Sequence, residues 1–148
     1  MDILVIGPEP PCIRCTTTFK YAKQIAAQFP GRVEARKLTA HSIEADKIGK
    51  IYGGHEIADI EQVGHDHDGI ERIMAEINSL LVNEEKNEGQ IIEKLGQIQE
   101  KVSPVFNKAQ EKGYLMTPVL VINGKIKAVG EVPSKEKMLQ WVKEALGI

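Results

Sequence analysis

Residues 3–15 read Ile3-Leu4-Val5-Ile6-Gly7-Pro8-Glu9-Pro10-Pro11-Cys12-Ile13-Arg14-Cys15. Four consecutive apolar residues, mostly β-branched and closed by Gly7-Pro8, read as a short buried strand followed by a loop. The prolines at 8, 10 and 11 withhold backbone donors, which predicts a stiff loop ending at Cys12. Beyond it, Phe19, Ala22, Ala26 and Phe29 recur at steps of three and four, the spacing of one helix face, and Pro30-Gly31 stops the helix. Both cysteines of the chain therefore fall three apart where a loop meets a helix start. There, the first free N–H groups and the positive end of the helix dipole favour a thiolate at Cys12, and Arg14 adds a positive charge that tunes its pKa. Cys15, one turn on, is placed to attack a mixed disulfide. Cys12 is the expected nucleophile and Cys15 the expected resolving thiol.

Two other readings compete for the pair. One is a zinc half-site completed from His41, His55, His65 and His67; the other is an inert structural pair. The histidines lack the His-x3-5-His spacing of zinc fingers, which weighs against the first.

Working outward, a strand is expected from about Arg32 to Leu38, with Val33 and Ala35 alternating against charged neighbours in the manner of a sheet edge. Near the other end, Val119–Ile122 reads as a buried strand, Asn123-Gly124 as a tight hairpin turn, and Lys125–Val129 as the returning strand. Ser134 caps a last helix with Met138, Trp141 or Val142, and Ala145 on one face. The middle, about residues 40 to 113, is helical. Ser42 is expected to cap a short helix ending at Gly53-Gly54. Ile70, Ile73, Ile77 and Leu80 form one stripe, and Ile91, Leu95, Ile98, Val102 and Val105 another. Ser103-Pro104 resembles an N-cap with proline in the first turn, so a fresh helix is expected there, ending at Gly113.

The Cys12–Cys15 pair after a first strand, with Met116-Thr117-Pro118 just before the Asn123-Gly124 hairpin, resembles the thioredoxin-like family, especially its small glutaredoxin-like redox proteins of archaea and bacteria. The resemblance implies a thioredoxin-like α/β fold, a four-stranded mixed sheet flanked by helices in the order β-α-β-α-β-β-α. It implies that Pro118 is a cis-proline beside the cysteines and that the Thr117 backbone pairs with a bound peptide, making both substrate-binding residues. It covers about residues 1–40 and 104–148 of a single domain spanning 1–148, and leaves about 41–103 as a helical insertion between the second and third strands. Larger disulfide oxidoreductases of the DsbA type carry a similar insertion. The implied activity is dithiol–disulfide exchange with a protein or small-molecule partner, fed by a thioredoxin-reductase-like electron donor. It needs no cofactor beyond the Cys12–Cys15 disulfide and no metal.

Departures from the family pattern limit what carries over. No tryptophan precedes Cys12, Ile13-Arg14 stands in place of the Gly-Pro of typical thioredoxins, and Ile6 falls where those carry a buried acidic residue. Redox potential and substrate choice therefore do not transfer. Glu9 is a candidate substitute proton acceptor, set against the plainer reading of a solvated loop residue.

The rest of the sequence narrows the class. The 148 residues suffice for one cored domain, and 42% hydrophobic with 27% charged content is ordinary for a globular chain. A net charge of -2 shows no basic excess for nucleic acid. No apolar run approaches the roughly 18 residues of a membrane span. Met1-Asp2 leads into only four apolar residues without a basic start, so a strand rather than a secretory signal is expected, and with it a cytoplasmic setting. The two helical stripes either pack on each other and the sheet or pair with a second copy as a homodimer. Gly64-His-Asp-His-Asp-Gly69 reads either as a transition-metal site or as a solvated acidic loop capping the next helix near Asp68. Tyr52, Phe106 and above all Tyr114 are candidates for lining a groove near Pro118.

Overall fold

The computed structural model describes residues 1–9 and 12–148. The stiff loop expected from Pro10 and Pro11 lies outside the described residues. Four strands form the main sheet: β1 (Asp2–Gly7), β2 (Glu34–Thr39), β5 (Val119–Ile122) and β6 (Lys125–Val129), in the order β2-β1-β5-β6. β1 runs parallel to β2 and antiparallel to β5, and β5 is antiparallel to β6, so the sheet is mixed. A separate parallel pair joins β3 (Ile51–Tyr52) to β4 (Leu115–Met116). Helices α1 (Ile13–Ala26), α2 (Ile43–Asp46), α3 (Gly54–Glu61), α4 (His67–Leu80), α5 (Glu84–Lys112) and α6 (Lys135–Leu146) complete the chain.

The two-residue period of the strands decides which side chains go to which face. Ile3, Val5, Leu120 and Ile122 meet Ala22 and Ile25 of α1 and Met138 and Val142 of α6 on one side. Ile6, Val119 and Val121 pack with Leu38, Ala45 and Ile51 on the other. β5 is buried on both faces, as its unbroken apolar run requires of a central strand. The Asn123-Gly124 turn has φ of 51° and 79°, the two positive values a two-residue hairpin loop demands. Ser134 caps α6 as the sequence predicts, accepting from Lys137 N at 3.1 Å. Ala145, expected on the buried face of α6, is exposed; Leu139, Trp141 and Leu146 pack there instead.

A third apolar cluster is purely helical in origin apart from Met116. Ile57 of α3, Ile73 and Ile77 of α4, and Ile91, Leu95, Ile98, Val102 and Val105 of α5 pack together. Of the two sequence stripes, Ile73 and Ile77 and the whole α5 stripe are buried, while Ile70 and Leu80 are half-buried at the edge of the cluster.

The segment differs from expectation in two ways. The helix capped by Ser42 stops at Asp46, and Gly53 is the N-cap of α3, its N–H donating to Glu56 Oε1 at 3.3 Å. No fresh helix starts at Ser103-Pro104 either: α5 runs unbroken through Pro104. Proline removes the N–H that the Glu100 carbonyl needs. The Ser103 hydroxyl donates to that carbonyl at 2.8 Å in its place. Meanwhile Val102, Val105 and Ala109 stay buried on one line across the proline, so packing holds the helix together.

Candidate functional site: the dithiol at the head of α1

Cys12 is the N-cap of α1, with φ -83° and ψ 165°. Its Sγ accepts from the Cys15 N–H at 3.4 Å and lies 3.0 Å from Cys15 Sγ. The hydrogen bond from the Cys15 thiol is the largest influence on Cys12, ahead of the backbone donors and the Arg14 charge. Together they outweigh desolvation and lower the Cys12 pKa from 9.0 to about 6. Donating to Cys12 and sitting in a buried position drive Cys15 strongly upward, against smaller lowering effects from Arg14 and the Thr117 hydroxyl. The asymmetry is the one exchange chemistry uses: a partly exposed thiolate outside, a fully buried thiol one turn in.

The surrounding chain explains this burial. Gly7 ends β1 directly beneath Cys15; a Cβ there would stand 2.9 Å from both Cys15 Cβ and Sγ. Three consecutive threonines, poor helix formers, are accommodated because Thr17 and Thr18 bond back to the carbonyls of Ile13 and Arg14 at 2.9 and 2.8 Å.

Arg14 is 6% exposed and faces inward. Nη1 donates to the Gly130 carbonyl at 2.7 Å and Nη2 to the Thr117 carbonyl at 3.4 Å. The Thr117–Pro118 peptide is cis, and Gly130 N–H donates to the Pro118 carbonyl at 2.9 Å. One guanidinium thus joins the cysteine helix to the Thr-Pro loop and the end of β6. The sequence marks Arg14 only as a nearby charge; its bracing role depends on a residue 116 positions away.

Thr117 has its backbone groups engaged inside the chain. Its N–H donates to the Tyr52 carbonyl at 3.0 Å, extending the β3–β4 pairing, and its carbonyl accepts from Arg14. Thr117 and Cys12 share the wall of a cavity of about 600 Å³ with Arg14 and Glu9, over an apolar floor that includes Ile70, Met74 and Ile98. Pro118 does not line it, nor do Tyr52, Phe106 and Tyr114. Those aromatics belong to the helical cluster, with the Tyr52 and Tyr114 rings 4.9 Å apart. All four histidines of the chain do line the cavity, a convergence invisible in the sequence because His41 and His55 lie far from the 65–67 loop.

A four-stranded mixed sheet with a dithiol at the head of its first helix defines a thioredoxin-like protein. The thioredoxin-domain family model matches residues 76–143, from within α4 to within α6, a match that agrees with the thioredoxin-like fold. The matched stretch contains Thr117 and Pro118 but not Cys12 and Cys15, so the dithiol rests on the geometry above. No curated protein and no solved structure matches the chain. Among the described residues, no helix is long and apolar enough to cross a membrane.

Proposed function

We propose that this protein is a thiol–disulfide oxidoreductase in which Cys12 attacks and Cys15 resolves. The observation that carries the reading is Cys12 Sγ at the N-cap of α1, receiving the Cys15 N–H at 3.4 Å with the Cys15 sulfur at 3.0 Å. The Cys12 thiolate attacks one sulfur of a substrate disulfide; a Cys12–substrate disulfide forms, the substrate S–S bond breaks, and the departing thiolate takes up a proton. Cys15 then loses its proton and attacks Cys12 Sγ, releasing the second substrate thiol. Two electrons and two protons pass from the dithiol to the substrate, and a reductase-type donor restores the pair. Thr117, on the cavity wall, positions the substrate, Pro118 orients Thr117 from behind the wall, and Arg14 positions the thiolate.

The substrate is a disulfide small or narrow enough to enter the cavity. Supporting this is the Thr117 N–H, which is already bonded to Tyr52 and so is not free to pair with a peptide strand. The reading includes one domain over 1–148, with about 41–103 as a helical insertion, working in the reducing cytoplasm. The test is a Cys15→Ser chain incubated with glutathione disulfide and, separately, with a disulfide-bonded peptide. A glutathione adduct on Cys12 that forms faster than the peptide adduct is expected. Equal labelling of Cys12 and of an unfolded control at neutral pH defeats the proposal.

A further inference from the structure

We infer that His55, His65 and His67 form a binding site for a divalent transition-metal ion, Zn²⁺ in particular, at the wall of the cavity that also holds Cys12. Each of the three imidazoles offers one ring nitrogen, and these nitrogens lie within 4.8 Å of one another. A tetrahedral zinc with Zn–N of about 2.1 Å sets its ligand nitrogens about 3.4 Å apart, so the trio needs to draw in by no more than about 1.4 Å to share an ion. The rings meet tilted at 4.8 Å between centroids (His55–His67) and edge-on at 5.7 Å (His55–His65) and 6.0 Å (His65–His67).

Three features of the chain favour a built site over a chance cluster. The loop is pinned: Asp66 accepts from Gly69 N at 3.0 Å, pairs with Lys101 of α5 at 2.6 Å, and His67 N–H donates to the His65 carbonyl at 2.9 Å. His65 and His67 therefore hold one side in common, and Asp66, though between them, is committed elsewhere. His41, the remaining histidine, is held by both oxygens of Glu56 at 2.8 Å. The three that converge are the three left without such a carboxylate clamp, save for Glu71 at 3.2 Å from His67 Nε2. That carboxylate supplies the negative charge a cation needs close by.

Three imidazoles and no obligatory fourth protein ligand match the zinc sites that keep one position open. Imidazole sets also take Cu²⁺ and Ni²⁺, with the order of affinities set by the metal. His55 and His67 are exposed and His65 is half-buried, so an ion has access from solvent. The three histidines line the same cavity as Cys12, so a ligand to the ion would come from molecules that enter that cavity.

The site is tested independently of the redox reading in the full chain carrying Cys12→Ser and Cys15→Ser. Co²⁺ is titrated while visible d–d absorption is followed, and Zn²⁺ is then added in competition. The expected result is one Co²⁺ per chain with tetrahedral-type bands that Zn²⁺ abolishes. Loss of an outer partner alone weakens metal sites about 10–100-fold, so His55→Ala should weaken binding by at least about a hundredfold. Circular dichroism should be unchanged, since His55 is a surface residue. If the cysteine-free chain binds neither ion, or binds them equally well with and without His55→Ala and His65→Ala, the three imidazoles are merely in ring contact and the inference is overturned.

Discussion

Arg14 Nη1 and the Gly130 carbonyl are joined by a 2.7 Å hydrogen bond across 116 residues of sequence, from inside the Cys-x-x-Cys motif to the end of β6. Gly130 adopts φ +70°, and a Cβ there would meet Phe106 at 2.8 Å, so the carbonyl is presented from a position only glycine fills comfortably. With the second bond to Thr117, the guanidinium satisfies two buried carbonyls. Removing it leaves both unpaired, at a cost of about 1–3 kcal/mol each. Arg14→Met should therefore lower stability by about 2–4 kcal/mol in urea denaturation. It should also raise the Cys12 pKa through loss of the neighbouring charge. Arg14→Lys keeps a charge but cannot fork to both carbonyls, and should fall between the two. Wild-type stability in Arg14→Met would show that the bracing is dispensable.

Gly7 is the second contact on which the dithiol depends. A methyl group at this position stands 2.9 Å from two atoms of Cys15, in a fully buried place where neither strand nor helix can retreat easily. Gly7→Ala should destabilise the reduced protein by about 1–3 kcal/mol. Cys15→Ala removes one of the two clashing atoms, so the penalty should shrink in the Gly7→Ala, Cys15→Ala double variant. A double-mutant cycle reads that coupling directly; strict additivity would place the strain elsewhere.

Much of the core was legible in the sequence because its signals are local. Ile3–Ile6, Val119–Ile122 and Asn123-Gly124 each fix their own conformation, and the alternation within the strands sorts their residues to the two faces. What could not be read depends on distant partners. Arg14 finds its acceptors on Gly130 and Thr117, and His55 reaches the 65–67 loop only because α3 and α4 both pack on α5. Tyr114, a candidate for the groove, packs in the helical cluster and not on the cavity wall, because nearness in sequence to Pro118 does not fix where the ring goes. Ser103-Pro104 misled for a different reason, since the local start signal was overridden by the buried stripe running across it.

That override makes a prediction about α5. Pro104 is exposed, and its only role visible in the fold is to leave the Glu100 carbonyl to Ser103. Pro104→Ala restores the helical N–H and removes a residue that costs a helix interior about 3 kcal/mol. The variant should be more stable than wild type, by about 1–3 kcal/mol after the smaller denatured-state entropy of proline is set against it. Thermal unfolding checks this. Ser103→Ala in the wild-type background should cost about 0.5–1.5 kcal/mol, and in the Pro104→Ala background close to nothing, because the backbone N–H then serves Glu100.

The Cys12 thiolate gives the reduced protein a pH-dependent stability whose sign follows from the shift. Its folded pKa of about 6 lies below the ordinary 9.0, so between these values the folded chain has released a proton that the unfolded chain retains. Stability of the reduced form therefore rises with pH through this window, is fully present near pH 9, and is lost as pH falls through about 6. A shift of three units sets a ceiling of about 4 kcal/mol. Above pH 9 the trend should reverse, because Cys15, held protonated in the fold by burial and by its bond to Cys12, ionises more readily once unfolded. Urea denaturation of the reduced protein from pH 5 to 10, set against Cys12→Ser at each pH, isolates the thiolate contribution. The difference between the two chains should climb from near zero at pH 5 to its largest value near pH 9. A difference that is flat across the window means that Cys12 titrates as an ordinary thiol, and the helix-end thiolate is then no basis for the exchange mechanism.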